Sequence, residues 1–476
     1  MAKLLTPDIC VIGAGSGGLS VAAAAAAFGV EVVLIEKGLM GGDCLNYGCV
    51  PSKALLAAAK AAAGNRAQDR FGIHTEGIEI DFARANDHVR SVIAAIEPHD
   101  SQERFEGLGV TVLREAARFT DEKTVAVGDV RIRARRFVVA TGSTALVPPI
   151  PGLDEVPYLI NETLFELREA PSHLAIIGGG PIGLEMAQAH RRLGAEVTVF
   201  EAAKSLGKDD PELAGIVLQS LRDEGIEILE ETAVERVAAA DGGVKIFAKT
   251  ADGTPLETEA SHLLVATGRA PNVEDLGLEA AGIRFDRKGI EVDAGLRTTN
   301  RKVYAIGDVA GGLQFTHVAG YQAGLVIRSI LFRMPVKMNN TLVPWVTYTS
   351  PELGHIGMTV TEAKRAYSGA VKVLSAEYAG NDRAQAEGAT MGKLKLIVGP
   401  GGRLAGADIV GAQAGEILNL LSLALSKKMT MKDLAGFIAP YPTLGELVRR
   451  AAISYYADAP KNVWLRRLLA ILRKFG

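Results

Sequence analysis

The chain carries one short pattern twice, and each copy dictates the backbone around it. Residues 8–12 form an apolar run, followed by Gly13-x-Gly15-x-x-Gly18, an alanine-rich stretch, and a second run from Glu31 to Ile35 that ends at Glu36. The second copy starts at Leu174–Ile177 and passes through Gly178-x-Gly180-x-x-Gly183 and a helical stretch reaching Leu193. It closes with Glu196–Phe200 and Glu201. The first two glycines allow a tight turn and close backbone approach, so a helix N-terminus can hold a pyrophosphate. The acid ending the second strand accepts hydrogen bonds from a ribose. A lone glycine triplet says little, but strand, helix and acid at this spacing define a βαβ dinucleotide unit. Two units in one chain imply electron passage between two cofactors. The polyalanine run Ala22–Ala27 reads as close packing of a helix on its sheet.

Between the units lies Gly41-Gly42-Asp43-Cys44-Leu45-Asn46-Tyr47-Gly48-Cys49-Val50-Pro51-Ser52-Lys53. A regular helix would hold the Cα atoms of Cys44 and Cys49 about 8 to 9 Å apart, beyond disulfide reach. The segment must bend for the sulfurs to meet, and Asn46 and Gly48 permit the bend. The pair then reads as a redox dithiol. A zinc pair and two structural thiols are the other readings. The only further cysteine is Cys10, and no Cys/His cluster stands nearby to complete four ligands.

A length of 476 residues predicts roughly three domains. The net charge of −3, with no basic tract interleaved with aromatics, excludes nucleic acid as a partner. The apolar stretch Ile9–Ile35 is split by glycines, contains Glu31 and lacks a small-residue cleavage pattern, so it is not a secretory signal. The expectation is a cytoplasmic protein with no membrane span. Three cysteines are too few for a disulfide scaffold, and a reducing compartment suits a pair that must cycle.

The dithiol segment and the glycine turns resemble those of the flavin-dependent pyridine nucleotide-disulfide oxidoreductases, the family of dihydrolipoamide dehydrogenase, glutathione reductase and mercuric reductase. The similarity covers nearly the whole chain. It implies an α/β fold of two Rossmann-like dinucleotide-binding domains, for FAD and NAD(P), and a C-terminal α+β dimerisation domain. The segments Val138–Gly142 and Leu264–Arg269 resemble the family's paired crossings between domains, and Tyr304–Asp308 resembles the return to the FAD domain. The implied division is 1–147 and 269–337 for FAD, 148–268 for the nicotinamide coenzyme, and 338–476 for a homodimer interface. The implied FAD residues are Gly13, Gly15, Ser16, Gly17, Gly18, Glu36, Lys37, Gly42, Lys53, Ala117, Thr141, Gly142, Asp308, Phe315 and Thr316. Those for the nicotinamide coenzyme are Gly178, Gly180, Pro181, Ile182, Gly183, Glu185, Glu201 and Gly268. Asp308 would bond the ribityl chain; its other reading is a turn aspartate capping the next helix.

By the same resemblance Cys49 is the flavin-proximal, charge-transfer thiol and Cys44 the interchange thiol facing substrate. Lys53 and Glu185 form an ion pair near the flavin that stabilises developing negative charge. The alternative places either residue on the surface. Pro181 stands where some relatives carry an aromatic lid, which implies a less gated nicotinamide pocket.

The chain departs from the disulfide reductases near its C-terminus. Their His-Pro-Thr motif supplies an acid–base histidine oriented by a glutamate; here the sequence is Tyr441-Pro442-Thr443-Leu444-Gly445-Glu446. An ordinary tyrosine supplies on the order of one part in a thousand of its basic form near neutral pH. That argues against efficient turnover of lipoamide or glutathione disulfide. Pro-Tyr at this place resembles mercuric reductases, and two converging thiolates at Cys44 and Cys49 suit transient binding of Hg(II) as substrate, with no structural metal. Two features depart from that branch. The chain ends without a vicinal cysteine pair, and no metal-binding domain precedes Asp8. Glu201 is followed by Ala202 and Ala203 rather than arginines, which favours NAD(H) over NADP(H). His317 is either a substitute proton donor or a packing residue at a helix start.

The reading is therefore an FAD-dependent NAD(P)H oxidoreductase passing electrons to a soft metal ion or another small acceptor. The alternatives are dihydrolipoamide dehydrogenase-like disulfide reduction and a flavin redox sensor with little turnover. Residues 461–476 predict a basic amphipathic helix. Its apolar arc, Trp464 to Phe475, either docks on the protein body or a partner, or lies on the inner face of a membrane.

Overall fold

The computed structural model describes residues 3–66, 69–74 and 77–475. It divides into two compact units, Met1–Ala202 with Ile226–Met338, and Ala203–Gly225 with Asn339–Gly476.

In the first unit, β1 (Ile9–Ile12) leads into α1 (Ser16–Ala27) and returns as β2 (Val32–Ile35). The redox segment follows as α2 (Gly42–Asn46) and α3 (Cys49–Arg66). With β3 (Thr111–Leu113), β4 (Arg136–Val139) and a strand Val303–Ala305, these strands make a parallel five-stranded sheet ordered 303–305, β4, β1, β2, β3. All four residues of β1 and of β2 are buried, as expected of parallel strands covered on both faces. Ala22 and Ala25 are fully buried on α1, which packs against a helix Thr316–Phe332. A Cβ on Gly17 would already lie 3.2 Å from Ala319 Cβ, so small residues set this close approach.

The second βαβ copy repeats the plan. Strand β5 (His173–Ile177), helix α4 (Pro181–Arg192) and β6 (Glu196–Phe200) belong to a parallel four-stranded sheet with Glu227–Leu229 and β7 (His262–Val265), in the order 227–229, β6, β5, β7. Pro181 is the first residue of α4, where its missing N–H costs nothing.

The second unit is built on an antiparallel five-stranded sheet ordered 345–347, 352–357, 404–411, 393–398, 372–377. Helices Ala414–Ser426 and Glu446–Ser454 pack on it around Leu418, Leu421, Leu447 and Val448. Inside this unit His355 Nδ1 and Asp408 Oδ1 lie 2.5 Å apart. The Trp345 ring packs on His355 at 4.1 Å, and its indole N–H donates to Asp209.

The C-terminal helix is α5 (Val463–Leu472), shorter than the sequence predicts. Pro460 sits in a 3-10 turn, Ala459–Lys461, and the Asn462 side chain caps the helix by accepting from the Trp464 and Leu465 N–H groups. Gly476 lies outside the described residues. Docking of this helix on the body of its own chain, one of the alternatives the sequence leaves open, is not seen among the described residues, since no side chain of α5 is buried. Among the described residues no helix is long and apolar enough to cross a membrane.

Candidate active site

Both glycine turns are fixed by contacts only glycine allows. A Cβ on Gly13 (φ +105°) would lie 2.3 Å from Ala140 O, and one on Gly18 would lie 1.8 Å from Gly13 O. In the second copy Gly178 meets Ala266 O at 2.4 Å and Gly183 meets Gly178 O at 2.0 Å. At Gly15 and Gly180, directly before α1 and α4, a Cβ would meet nothing within 4 Å. Each helix thus opens onto free space with its N–H groups forward, the arrangement a pyrophosphate needs. The strand-end acids are equivalent too: Glu36 Oε2 accepts from the Ala14 N–H at 2.6 Å, and Glu201 Oε2 from the Gly179 N–H at 2.7 Å.

The redox segment is seated on the first turn. The Gly41 N–H donates to Ala14 O at 3.0 Å, and a Cβ on Gly42 would lie 2.8 Å from Gly15 Cα. Asn46 Nδ2 donates to the Met40 and Gly42 carbonyls and anchors α2. That helix stops at Asn46, and α3 restarts at Cys49. At the break, a Cβ on Gly48 would lie 2.8 Å from Asp43 Oδ2 and 3.1 Å from the Asp43 carbonyl oxygen, so a larger residue would crowd the bend. It brings Cys44, half-buried, and Cys49, exposed, into thiol–thiol hydrogen bonding; both are free thiols.

The two sulfurs differ sharply in acidity. Cys49 is lowered to about 6, first by the hydrogen bond from Cys44, then by the Thr316 hydroxyl 3.3 Å away and the Lys53 cation, against the partial desolvation imposed by the atoms around its sulfur. Its place at the start of α3 favours the same charge state. Cys44 is pushed far above the ordinary thiol range because its proton is engaged with Cys49 and burial disfavours its anion. Lys53, one turn into α3, reaches Glu185 Oε2 at 2.8 Å; the Glu185 carboxylate is 6% exposed and Lys53 39%.

Several residues at this site carry no role in the sequence reading. Arg269 donates to Asp43 Oδ1 at 2.9 Å and to Ser143 Oγ and the Ser143 carbonyl, both at 2.7 Å. The Ser143 hydroxyl donates to Asp308 Oδ2 at 2.5 Å, and Asn161 Nδ2 to Asp43 Oδ1. Asp308 therefore bonds Ser143 instead of capping the following helix, and burial raises its pKa. The signal was present in the parallel motifs Ala140-Thr141-Gly142-Ser143 and Ala266-Thr267-Gly268-Arg269. The strands that follow them pair antiparallel, Ser143 opposite Pro271 and Ala145 opposite Arg269.

Of the remaining sequence-predicted residues, Ser16 starts α1, Lys37 is exposed, and Ala117 is buried. Thr141 exchanges hydrogen bonds with Asn272, Gly142 has φ +69°, and Gly268 φ +142°. Ile182 is exposed beside Pro181. Phe315 stacks on the exposed ring of His317 at 5.2 Å as the helix Thr316–Phe332 begins. Tyr441 and Glu446 belong to the second unit and do not bond each other: Tyr441 donates to Asp382 Oδ2 at 3.0 Å, and Glu446 Oε2 accepts from the Thr443 N–H.

A βαβ turn leading into a bent dithiol helix, with a second βαβ turn bearing the glutamate that pairs with Lys53, defines a pyridine nucleotide-disulfide oxidoreductase. The chain belongs to that family: residues 7–323 match pyridine nucleotide-disulphide oxidoreductase and residues 343–452 its dimerisation domain, which implies a homodimer. It is similar to the mercuric reductase of Bacillus cereus, 35% identical over 458 residues, covering 95% of this chain and 72% of that protein. It is 34% identical to a dihydrolipoyl dehydrogenase of Staphylococcus aureus over 453 residues, 94% and 96% of the two chains. Among solved structures, the Cu(II) complex of the HOCl-induced flavoprotein disulfide reductase RclA from Escherichia coli aligns with a TM-score of 0.82 at 30% identity, over 93% of this chain and 98% of that one.

The chain is thus a flavoprotein disulfide oxidoreductase. The first turn fits FAD on its own geometry: the open face at Gly15, the fixed carboxylate of Glu36, and the partly buried carboxylate of Asp308 are donors and acceptors of the kind a dinucleotide with a polyol chain requires.

Proposed function

We propose that this protein is a cytoplasmic, NADH-dependent reductase of the mercuric-reductase-like branch, whose acceptor is a soft metal ion such as Hg(II) or another small electrophile. The observation that carries the reading is Tyr441. The Asp382 carboxylate it donates to raises its pKa, so the phenol keeps its proton through the neutral range. It cannot serve as the base a disulfide acceptor requires, whereas a metal ion takes up electrons without a proton. The kinship with mercuric reductases supports the same acceptor class.

The balance is NADH plus Hg(II) giving NAD⁺, Hg(0) and one proton. Bound FAD supplies a carrier that takes the hydride from nicotinamide and returns the electron pair toward the disulfide. The chain's own residues do the rest. Reduction of the disulfide consumes two electrons and one proton, leaving Cys44 as thiol and Cys49 as thiolate, because Cys49 titrates at about 6. Lys53, held by Glu185, keeps a cation beside that thiolate. Two converging thiolates suit a soft ion, which displaces the Cys44 proton on binding. Glu201, fixed on the Gly179 N–H, would bond a ribose 2′-hydroxyl and repel a 2′-phosphate, which favours NADH. On this reading segments 1–147 and 269–337 hold FAD, 148–268 the nicotinamide coenzyme, and 338–476 the dimer interface.

The test is a turnover panel on the FAD-loaded enzyme with NADH, offering Hg(II) and Cu(II) as exchangeable thiol complexes beside lipoamide and glutathione disulfide. Metal reduction should exceed disulfide reduction. Tyr441→His should raise disulfide turnover, and Tyr441→Phe should slow metal turnover by roughly tenfold if the hydroxyl positions the ion. Rapid lipoamide reduction by the wild type, with Tyr441→Phe unimpaired toward every acceptor, refutes the metal reading.

A further inference from the structure

Helix α5 presents an apolar arc that no described residue buries. Trp464 is 76% exposed, Phe475 83%, and Leu468, Ile471 and Leu472 at least half. At about 100° per residue Trp464, Leu468, Ile471 and Leu472 share one side of α5, with Arg466 and Arg467 on the other; Arg473 caps the helix, and Lys474 and Phe475 follow it. The segregation is complete along the element, which is unlike a scatter of exposed leucines. The charge is equally one-sided. From Ala459 to Gly476 the sequence holds five cations and no acid, in a chain whose net charge is −3.

We propose that α5 is an interfacial anchor that lies flat on an anionic lipid surface. Ten residues at about 1.5 Å each give a helix near 15 Å long, half the thickness of a bilayer's hydrocarbon core, so the element can lie in the interface but not cross it. An anionic surface uses both halves of the helix at once, taking the apolar arc below the headgroups while the cations meet phosphate. The border between the arcs is built for that depth. The Arg467 guanidinium lies over the Trp464 ring, 5.4 Å from its centroid, which puts an indole and a cation together at the level of the headgroups. A second copy of α5 packed on the same arc would set its arginines near these, whereas an anionic surface meets them with opposite charge. The proposal is independent of which acceptor the dithiol serves.

The experiment adds vesicles of phosphatidylcholine, alone or mixed with phosphatidylglycerol, to the FAD-loaded full-length enzyme. It follows co-flotation and tryptophan emission. The sequence holds two tryptophans; Trp345 is pinned to Asp209 inside the second unit, and subtracting the Trp464→Phe signal isolates the helix. The expected result is flotation and a blue-shifted Trp464 emission with the anionic vesicles only, both weakening as salt rises. Each cation near such a surface strengthens binding about fivefold, so Arg466→Gln/Arg467→Gln/Arg473→Gln/Lys474→Gln should weaken it by well over tenfold. Leu468→Glu/Leu472→Glu should abolish flotation while FAD content and NADH-dependent turnover stay unchanged. Wild-type protein that fails to float, or equal flotation by the double-glutamate variant, overturns the proposal. So does a shift of that variant to a smaller species in sedimentation, which would assign the arc to a protein interface.

Discussion

Cys44 and Cys49 are chemically identical side chains with opposite acid–base behaviour, and substitutions of one atom separate the causes. Cys49 titrates at about 6 chiefly because it accepts a hydrogen bond from the Cys44 thiol. A hydrogen bond to a charged group contributes about 1.5–3 kcal/mol, and one pKa unit corresponds to about 1.4 kcal/mol, so loss of the donor should raise Cys49 by about one to two units. A thiol is a weak donor, which puts the expected shift near the lower end, a midpoint of about 7 in Cys44→Ala. Cys44→Ser keeps a donor and should stay near 6. The sign follows from ionisation: the thiolate is lost as pH falls through the midpoint. Carbamidomethylation of Cys49 by iodoacetamide should therefore be fast above pH 6 in the wild type and decline below it, and in Cys44→Ala the decline should begin about one unit higher. The assay is the rate of Cys49 labelling in the fully reduced protein, read by peptide mass. Coincident curves for the Ser and Ala variants, or a wild-type midpoint at an ordinary thiol value near 8.5, would refute the assignment.

Three further outcomes follow from the geometry. Gly183→Ala places a Cβ 2.0 Å from Gly178 O, so the variant should remain yellow with FAD yet lose reduction by NADH, while Gly18→Ala, 1.8 Å from Gly13 O, should lose FAD itself. Retention of both cofactors by both variants, measured by flavin absorbance and stopped-flow reduction, would contradict the two-turn scheme. Glu201→Arg should shift coenzyme preference in kcat/KM toward NADPH by at least about tenfold; a wild type that already prefers NADPH would reverse the reading of that acid. Lys53→Met strips a carboxylate that is 6% exposed of its cation and should cost about 2–3 kcal/mol, whereas Glu185→Gln leaves a lysine that can turn to water and should cost about 1 kcal/mol. Thermal melts of the FAD-loaded variants check that order.

How much was legible beforehand depended on whether a residue acts through its neighbours in sequence or through distant ones. The glycine turns could be read because their constraint is steric and local: Gly13, Gly18, Gly178 and Gly183 each sit where a Cβ would strike a carbonyl. The bend between Cys44 and Cys49 was legible for the same reason, since an unbroken helix would keep two sulfurs read as a redox pair out of reach of each other. Arg269 was not, because its partners Asp43, Ser143 and Asp308 come together only when the two crossing strands pair. The division of α5 into two arcs could be read from periodicity, but not what covers it. A helix docked on a core has the same moment as one left exposed, and only the structure separates the cases.

The seating of the redox segment on the first glycine turn has a mechanical consequence. The Gly41 N–H to Ala14 carbonyl bond and the contact of Gly42 with Gly15 weld the phosphate-binding turn and the dithiol helix into one rigid part. Local opening of either would have to break both, so their exposure to solvent should be a single cooperative event. In hydrogen exchange the Gly41 amide should slow when FAD is bound. Occupancy of the nucleotide site would then govern how often the dithiol helix opens to solvent.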